Sequence, residues 1–155
     1  MTFVEDLFHN PIAVAPALGW LVAQGLKTLL YTWLNKEFRK ERLVGGGGMP
    51  SSHSATVCAL CAVTAVKYGA TGFYFPMTLF FAFIVMYDAM GVRRETGRQA
   101  EVINAMIDDI KMMTEGVTKV DSFEQLKVLI GHSPLQVLAG AILGIVIGLL
   151  VGIMM

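Results

Sequence analysis

The stretch Gly45-Gly46-Gly47-Gly48-Met49-Pro50-Ser51-Ser52-His53-Ser54 runs straight into an apolar segment that ends near Tyr68. Four consecutive glycines let the backbone turn its N–H groups toward a ligand, and Pro50 suits the first turn of the helix that follows. A helix start adds unpaired N–H donors and the positive end of a dipole, an arrangement that binds anions such as phosphate. His53 falls in that first turn, where an imidazole can pass a proton to or from whatever the loop holds. Read this way, the stretch is a polar site at the mouth of a hydrophobic helix.

Working outward, the same hydrophobic character recurs along the chain. Of the 155 residues 55% are hydrophobic and 15% charged, and the mean hydropathy is +0.61. Such a balance excludes an ordinary soluble domain. The apolar residues gather in four segments, about 12–34, 52–68, 73–90 and 134–155, each near the roughly 20 residues that cross a bilayer as helix. The sequence therefore predicts an all-α, polytopic membrane bundle in a single domain over residues 1–155. It has about four transmembrane helices, and the insert 91–133 carries an amphipathic helix. The first segment lacks a basic flank before it and a small-residue cleavage site after it, so it is expected to stay in the mature protein.

Charge placement orients this bundle. Lys36, Arg39, Lys40 and Arg42 follow the first apolar helix, and Arg93, Arg94, Arg98, Lys111, Lys119 and Lys127 lie between the third and fourth. Lys67 alone lies near the opposite face, and Glu5 and Asp6 precede the first helix. By the positive-inside rule the N-terminus is outside and both long connections are cytoplasmic. The motif loops then share one membrane face.

Several residues in apolar surroundings are candidates for chemistry. Gln24 and Lys27 lie about a turn before the cytoplasmic end of the first helix, and an intramembrane Lys marks either function or a stem that snorkels to the interface. Cys58 and Cys61, a turn apart with no second pair, read as buried packing residues. Asp88 closes the third helix beside Arg93 and Arg94, either as a structural ion pair or as a carboxylate that orients a catalytic group. Gln99 to about Glu115 forms the amphipathic helix, with Val102, Ile103, Met106, Ile110 and Met113 on one side. Glu101, Asn104 and Asp108 share its polar side, as a solvated face or a metal site. A short helix is expected at Ser122 to Leu129. It leads to Gly131-His132-Ser133-Pro134, where Ser133 is the N-cap of the last helix and Gln136 completes a capping box. Gly140, Gly144, Gly148 and Gly152 then form a small-residue stripe for close helix approach, inside the subunit or across a homo-oligomer.

With these residues in place, Pro50-Ser51-Ser52-His53 resembles the Pro-Ser-Gly-His motif of type 2 phosphatidic acid phosphatases, relatives of the acid phosphatases and vanadium haloperoxidases. Gly131-His132-Ser133-Pro134-Leu135-Gln136 resembles that superfamily's last motif. Together with Tyr87-Asp88-Ala89-x-Gly91-Val92-Arg93-Arg94 they look like the divergent branch of this family, over nearly the whole chain. The resemblance implies a membrane hydrolase, a phosphatase for lipid phosphates or diphosphates, acting through phosphohistidine. His132 would be the nucleophile and His53 the acid and base. Lys27, the amides around Gly47, Gly48, Ser51 and Ser52, and Arg93 or Arg94 would hold the phosphoryl oxygens, with no metal or other cofactor. A bacterial plasma membrane is the implied location, with a phospholipid or polyprenyl phosphate as substrate and nucleic acid excluded as a partner.

The sequence also departs from the family pattern. Gln136 stands where the family has an Asp that orients the nucleophilic His, and Asp88 is the candidate to replace it. Lys27 is the preferred substitute for a first basic motif that has no clean match. The usual core has six helices against four here, so either the site is stripped down or a neighbouring subunit completes it. Two further functions stay open beside the phosphatase. One is a metal-dependent phosphatidyl-transfer enzyme built on Asp88, Gly97, Glu101 and Asp108, which chelation would separate. The other is a non-catalytic lipid-phosphate binder or transporter, which loss of His132 would spare.

Overall fold

The computed structural model describes residues 2–38, 47–113, 126 and 131–155. The protein is an all-α membrane bundle: α1 (Phe3–His9), α2 (Pro11–Asn35), α3 (Ser52–Tyr68), α4 (Tyr74–Met90), α5 (Val92–Met113) and α6 (Pro134–Met154). No strand occurs among the described residues. The expected short helix at Ser122 to Leu129 lies almost wholly outside the described residues, as do Gly45, Gly46 and most of the basic stretch after α2.

Capping fixes where the helices begin. Asn10 accepts from the Ile12 N–H at 2.9 Å and Pro11 takes the first helical position of α2. Ser51 caps α3, accepting from the Ser54 N–H at 3.4 Å. Pro50 therefore precedes the cap, whereas the sequence led us to expect it in the first turn. The serine hydroxyl accepts from an orphan amide, for which proline has no acceptor, and α3 begins at Ser52, where the expected segment 52–68 begins. Ser133, Pro134 and Gln136 open α6 with the full capping box. The lead-in before α2 is itself helical: Thr2 and Glu5 form a reciprocal capping box around α1. α5 begins at Val92, well before Gln99, because the chain stays helical as soon as α4 has ended at Gly91.

α3 is the central helix, packed by α2, α4 and α6. Three helical stretches are long and apolar enough to cross a membrane, namely Pro11–Asn35, Tyr74–Met113 and Pro134–Met154. α3, with 17 residues, spans about 25 Å and occupies the expected segment 52–68. Its buried residues include Ser52, Ser54 and Thr64, which lipid would not tolerate and neighbouring helices do.

Small residues make the centre of the bundle. Gly140 lies against the Ser51 carbonyl oxygen, Gly144 against that of Ala55, Gly148 against that of Ala59, and Gly152 against the Val66 side chain. A Cβ at Gly140, Gly144 or Gly148 would collide with α3 backbone. From the other side, a Cβ at Gly19 of α2 would stand 2.8 Å from the Ala55 oxygen. The glycine stripe is thus filled by α3 inside the subunit, and a homo-oligomer would use another surface. Around this seam Ala15, Ala59, Val63 and Val151 form one buried cluster, and Val57, Cys58 and Ala82 another. Large side chains such as Phe80, Phe83, Ile84 and Leu150 face outward, as expected where lipid is the solvent. Cys58 is a free thiol packed 3.8 Å from the Met86 sulfur.

Candidate active site

Four helix ends meet at one end of the bundle: the later turns of α2, the start of α3, the end of α4 and the start of α6. Their junction is tied by main-chain bonds. The Ser51 N–H donates to the Gln136 carbonyl at 3.0 Å, and the His132 N–H donates to the Ala89 carbonyl at 3.1 Å. A side chain at Gly131 would collide with the backbone of Arg94, so glycine there lets α5 and the start of α6 touch.

The two motif histidines meet at this junction. Their ring centroids are 5.6 Å apart and the rings stand edge to face at 68°. His132 is 1% exposed. Its Nδ1 lies 3.3 Å from Gln136 Oε1, and the same oxygen accepts from the Ser133 N–H at 3.1 Å. An N–H donor at Ser133 requires the Gln136 atom to be the oxygen, and an oxygen requires a proton on Nδ1. His132 therefore holds its proton on Nδ1 and leaves a lone pair on Nε2. That Nε2 is buried without a hydrogen-bond partner among the described residues, as is His53 Nδ1. Buried polar atoms are rarely left unpaired, so two such nitrogens on facing rings mark a place made for something else. Burial holds the pKa of His132 below its ordinary value, and the charges of Lys27 and His53 act in the same direction. The Gln136 side chain and the Gly48 backbone oppose them.

Cationic groups surround the pair. Lys27 is 2% exposed and its Nζ donates to Gln24 Oε1 at 2.9 Å and to Ser52 Oγ at 3.4 Å. Its stem lies against Gly48, which has φ of +82° and follows Gly47 at +75°. That left-handed backbone is what the glycine run provides. The snorkelling alternative for Lys27 does not hold, because the ammonium is turned inward onto α3. Arg93 Nε donates to Asp88 Oδ2 at 2.9 Å, both side chains being about half exposed, 48% and 45%. The charges of Arg93, Lys27 and Asp88 all act on the His53 ring.

Two expected placements are corrected by this geometry. Asp88 aims Arg93 and does not orient His132; Gln136 contacts His132 instead. Ser51 is fully buried, with its hydroxyl committed to the Ser54 amide and its N–H to Gln136, so it joins helices and does not face a ligand. Gly48, Ser52 and Lys27 remain grouped with the histidines, while Arg94 lies to the side, near Gly131. Among the described residues no group of three or more His, Cys, Asp or Glu side chains comes together as a metal site. Asp88, Glu101 and Asp108 are not brought together in such a group.

A family model described as the divergent PAP2 family matches residues 8–147. The chain belongs to the divergent PAP2 family. It is 34% identical over 150 residues to the uncharacterized membrane protein YuiD of Bacillus subtilis (strain 168), covering 93% of this chain and 95% of that one. No solved structure matches it significantly. In this divergent PAP2 protein the histidine pair, Lys27 and the Gly47–Ser52 junction come together in space.

Proposed function

We propose that this membrane protein is a phosphatase for lipid phosphates, working through phosphohistidine at the cytoplasmic face. The observation that carries the reading is the facing pair of histidines, each with an unpartnered buried nitrogen, inside a set of cations. In this scheme the His132 Nε2 lone pair attacks phosphorus, an N–P bond forms and the P–O bond to the lipid breaks. His53 gives its proton to the leaving alkoxide. Water then attacks the phosphohistidine as His53 takes a proton from it, the N–P bond breaks, and inorganic phosphate leaves. Lys27, Ser52, Arg93 and the α3 amides neutralise the equatorial oxygens. Gln136 keeps the proton on Nδ1 throughout the first step.

The neutral Gln136 also gives weight to a second reading, a lipid-phosphate binder that retains the anion site without turnover. One assay separates the two. Purified protein in detergent is given phosphatidic acid and other lipid phosphates, with and without chelator, beside His132→Ala and His53→Ala. The expected result is phosphate release that survives chelation and falls by at least about 100-fold in each variant. Release unaffected by His132→Ala sinks the phosphohistidine route. Binding without release from any lipid favours the binder.

A further inference from the structure

The second half of α5 carries an apolar row that the described residues leave uncovered. Val102, Ile103, Met106, Ile110 and Met113 recur at helical spacing over about 18 Å of helix, and each is 43–85% exposed. A contiguous apolar row on an exposed helix marks a surface that meets something other than water. The bundle lies on another side, since the buried residues of α5 are Gly97 and Ala100. Asn104 shares their side of the helix and grips the Leu126 main chain, donating to its carbonyl at 2.9 Å and accepting from its N–H at 2.8 Å. Both contacts therefore meet α5 away from the row.

Three observations say what covers it. Gly91, with ψ of −87°, departs from helical geometry and lets α5 turn out of line with α4. Residues from Arg94 to Glu101 then line one cleft of about 290 Å³ together with Gly131 to Gln136, so α5 crosses the start of α6, at the level where the bundle leaves the bilayer. The row also follows a lipid-facing surface: Phe83, Ile84 and Tyr87 of α4 are exposed, as is Val92 at the start of α5. Glu95 and Gln99 lie on the row's side of α5 only over the turns beside α6, before the row begins. Finally, α5 has four basic and four acidic residues, so net charge does not select an anionic or cationic partner and apolar burial is the driving force.

We propose that the second half of α5 is a membrane-surface anchor, with Val102, Ile103, Met106, Ile110 and Met113 sunk into the leaflet at the motif end and Glu101 and Ala105 facing water. Interfacial helices bury their apolar face about 5–10 Å into the boundary between headgroups and acyl chains. The proposal rests on the membrane bundle and not on any activity. Its consequence is mechanical: Gly131, beside His132, is pressed against the Arg94 backbone, so a docked α5 ties the depth of the histidine pair to the headgroup plane.

The test is made on the full chain carrying Cys58→Ala and Cys61→Ala. A bimane is attached at Met106→Cys, Ile110→Cys, Glu101→Cys or Ala105→Cys, one at a time, and each protein is reconstituted in phosphatidylcholine vesicles with and without brominated acyl chains. We expect brominated lipid to quench the labels at Met106→Cys and Ile110→Cys, and iodide in the water to quench those at Glu101→Cys and Ala105→Cys. Adding Ile110→Asp to Met106→Cys should abolish its quenching by lipid, because a carboxylate in the row opposes insertion. Val102→Cys and Met113→Cys repeat the comparison where a label disturbs folding. Iodide quenching along the row would overturn the anchor, as would equal lipid quenching on both sides of the helix. Quenching by neither agent would also overturn it and put protein on the row, a second copy if Met106→Cys then forms disulfides between chains. Lipid quenching that appears only with anionic lipid would remove apolar burial as the driving force.

Discussion

Gln136 Oε1 serves two donors, the Ser133 amide at 3.1 Å and His132 Nδ1 at 3.3 Å, so a helix cap and a tautomer lock are the same atom. Gln136→Glu would accept the same two bonds and add a negative charge beside the imidazole, favouring its protonated form. Its expected signature is an acid limb of the pH–kcat/KM curve moved to higher pH, with turnover kept. Gln136→Met has no acceptor, so the ring is released and kcat should fall by about 10- to 100-fold at every pH. An unchanged pH profile in Gln136→Glu would exclude Gln136 as the positioning residue. Burial, the leading cause, holds the folded pKa of His132 below its ordinary value. The unfolded chain then binds the extra proton in the window below about 6.5, so His132 contributes stability above that pH that is lost as pH falls. Thermal unfolding in detergent at pH 7.5 and 5.5 should show a smaller acid loss in His132→Gln than in wild type. Equal losses would remove His132 from the linkage. His53, His132 and Lys27 are legible in the sequence because each is a polar residue set in or beside an apolar run. The role of Gln136 is not, because its pattern marks a cap and the orientation of a neighbouring ring is a three-dimensional fact. Asp88 is legible in part: its arginine partner is offered by the sequence and is Arg93 in the structure, but whether the carboxylate also meets a histidine is a three-dimensional fact.

At the scale of the helices, the α3–α6 seam sets how closely the two motif histidines can come, because both sit at its end. Gly144→Ala would drive a methyl into the Ala55 backbone. That should cost about 1–3 kcal/mol, as overpacking of a tight core does. Gly25→Ala on α2 has nothing within 4 Å of the new Cβ and replaces a helix-interior glycine, so it should be neutral or stabilising by up to about 1 kcal/mol. Thermal unfolding of the two variants side by side checks this; equal effects would mean that the seam is looser than its geometry. The stripe is visible in the sequence as a period of four, but its partner is not. Ala55, Ala59 and Ala62 carry no mark that distinguishes a contact inside the subunit from one between subunits. Boundaries at α1 and α5 are lost for another reason. Thr2 and Glu5 form a full capping box ahead of only 7 helical residues, too few to show a period, and Gly91 suggests a break although helix resumes at Val92.

For the whole molecule, α2, α3, α4 and α6 alternate in direction, so the chain lays all its motif residues at one end and the turn around Gly69 to Phe73 at the other. Which leaflet supplies the substrate therefore depends on a single property, the orientation of the bundle. The basic residues are heavily biased to the motif end, with Lys67 alone near the other. By the positive-inside rule this bias predicts that the motif end lies inside. A protein with Cys58 and Cys61 replaced by Ala can carry one new thiol at Thr71→Cys, in the far turn, or at Glu95→Cys, exposed on α5. In intact cells a membrane-impermeant maleimide should label Thr71→Cys and leave Glu95→Cys untouched until the cells are permeabilised. The reverse pattern would put the histidine pair on the outer face and make its substrates outer-leaflet lipids. Labelling of both sites in intact cells would mean mixed insertion, and the charge bias would then not be what sets the working leaflet.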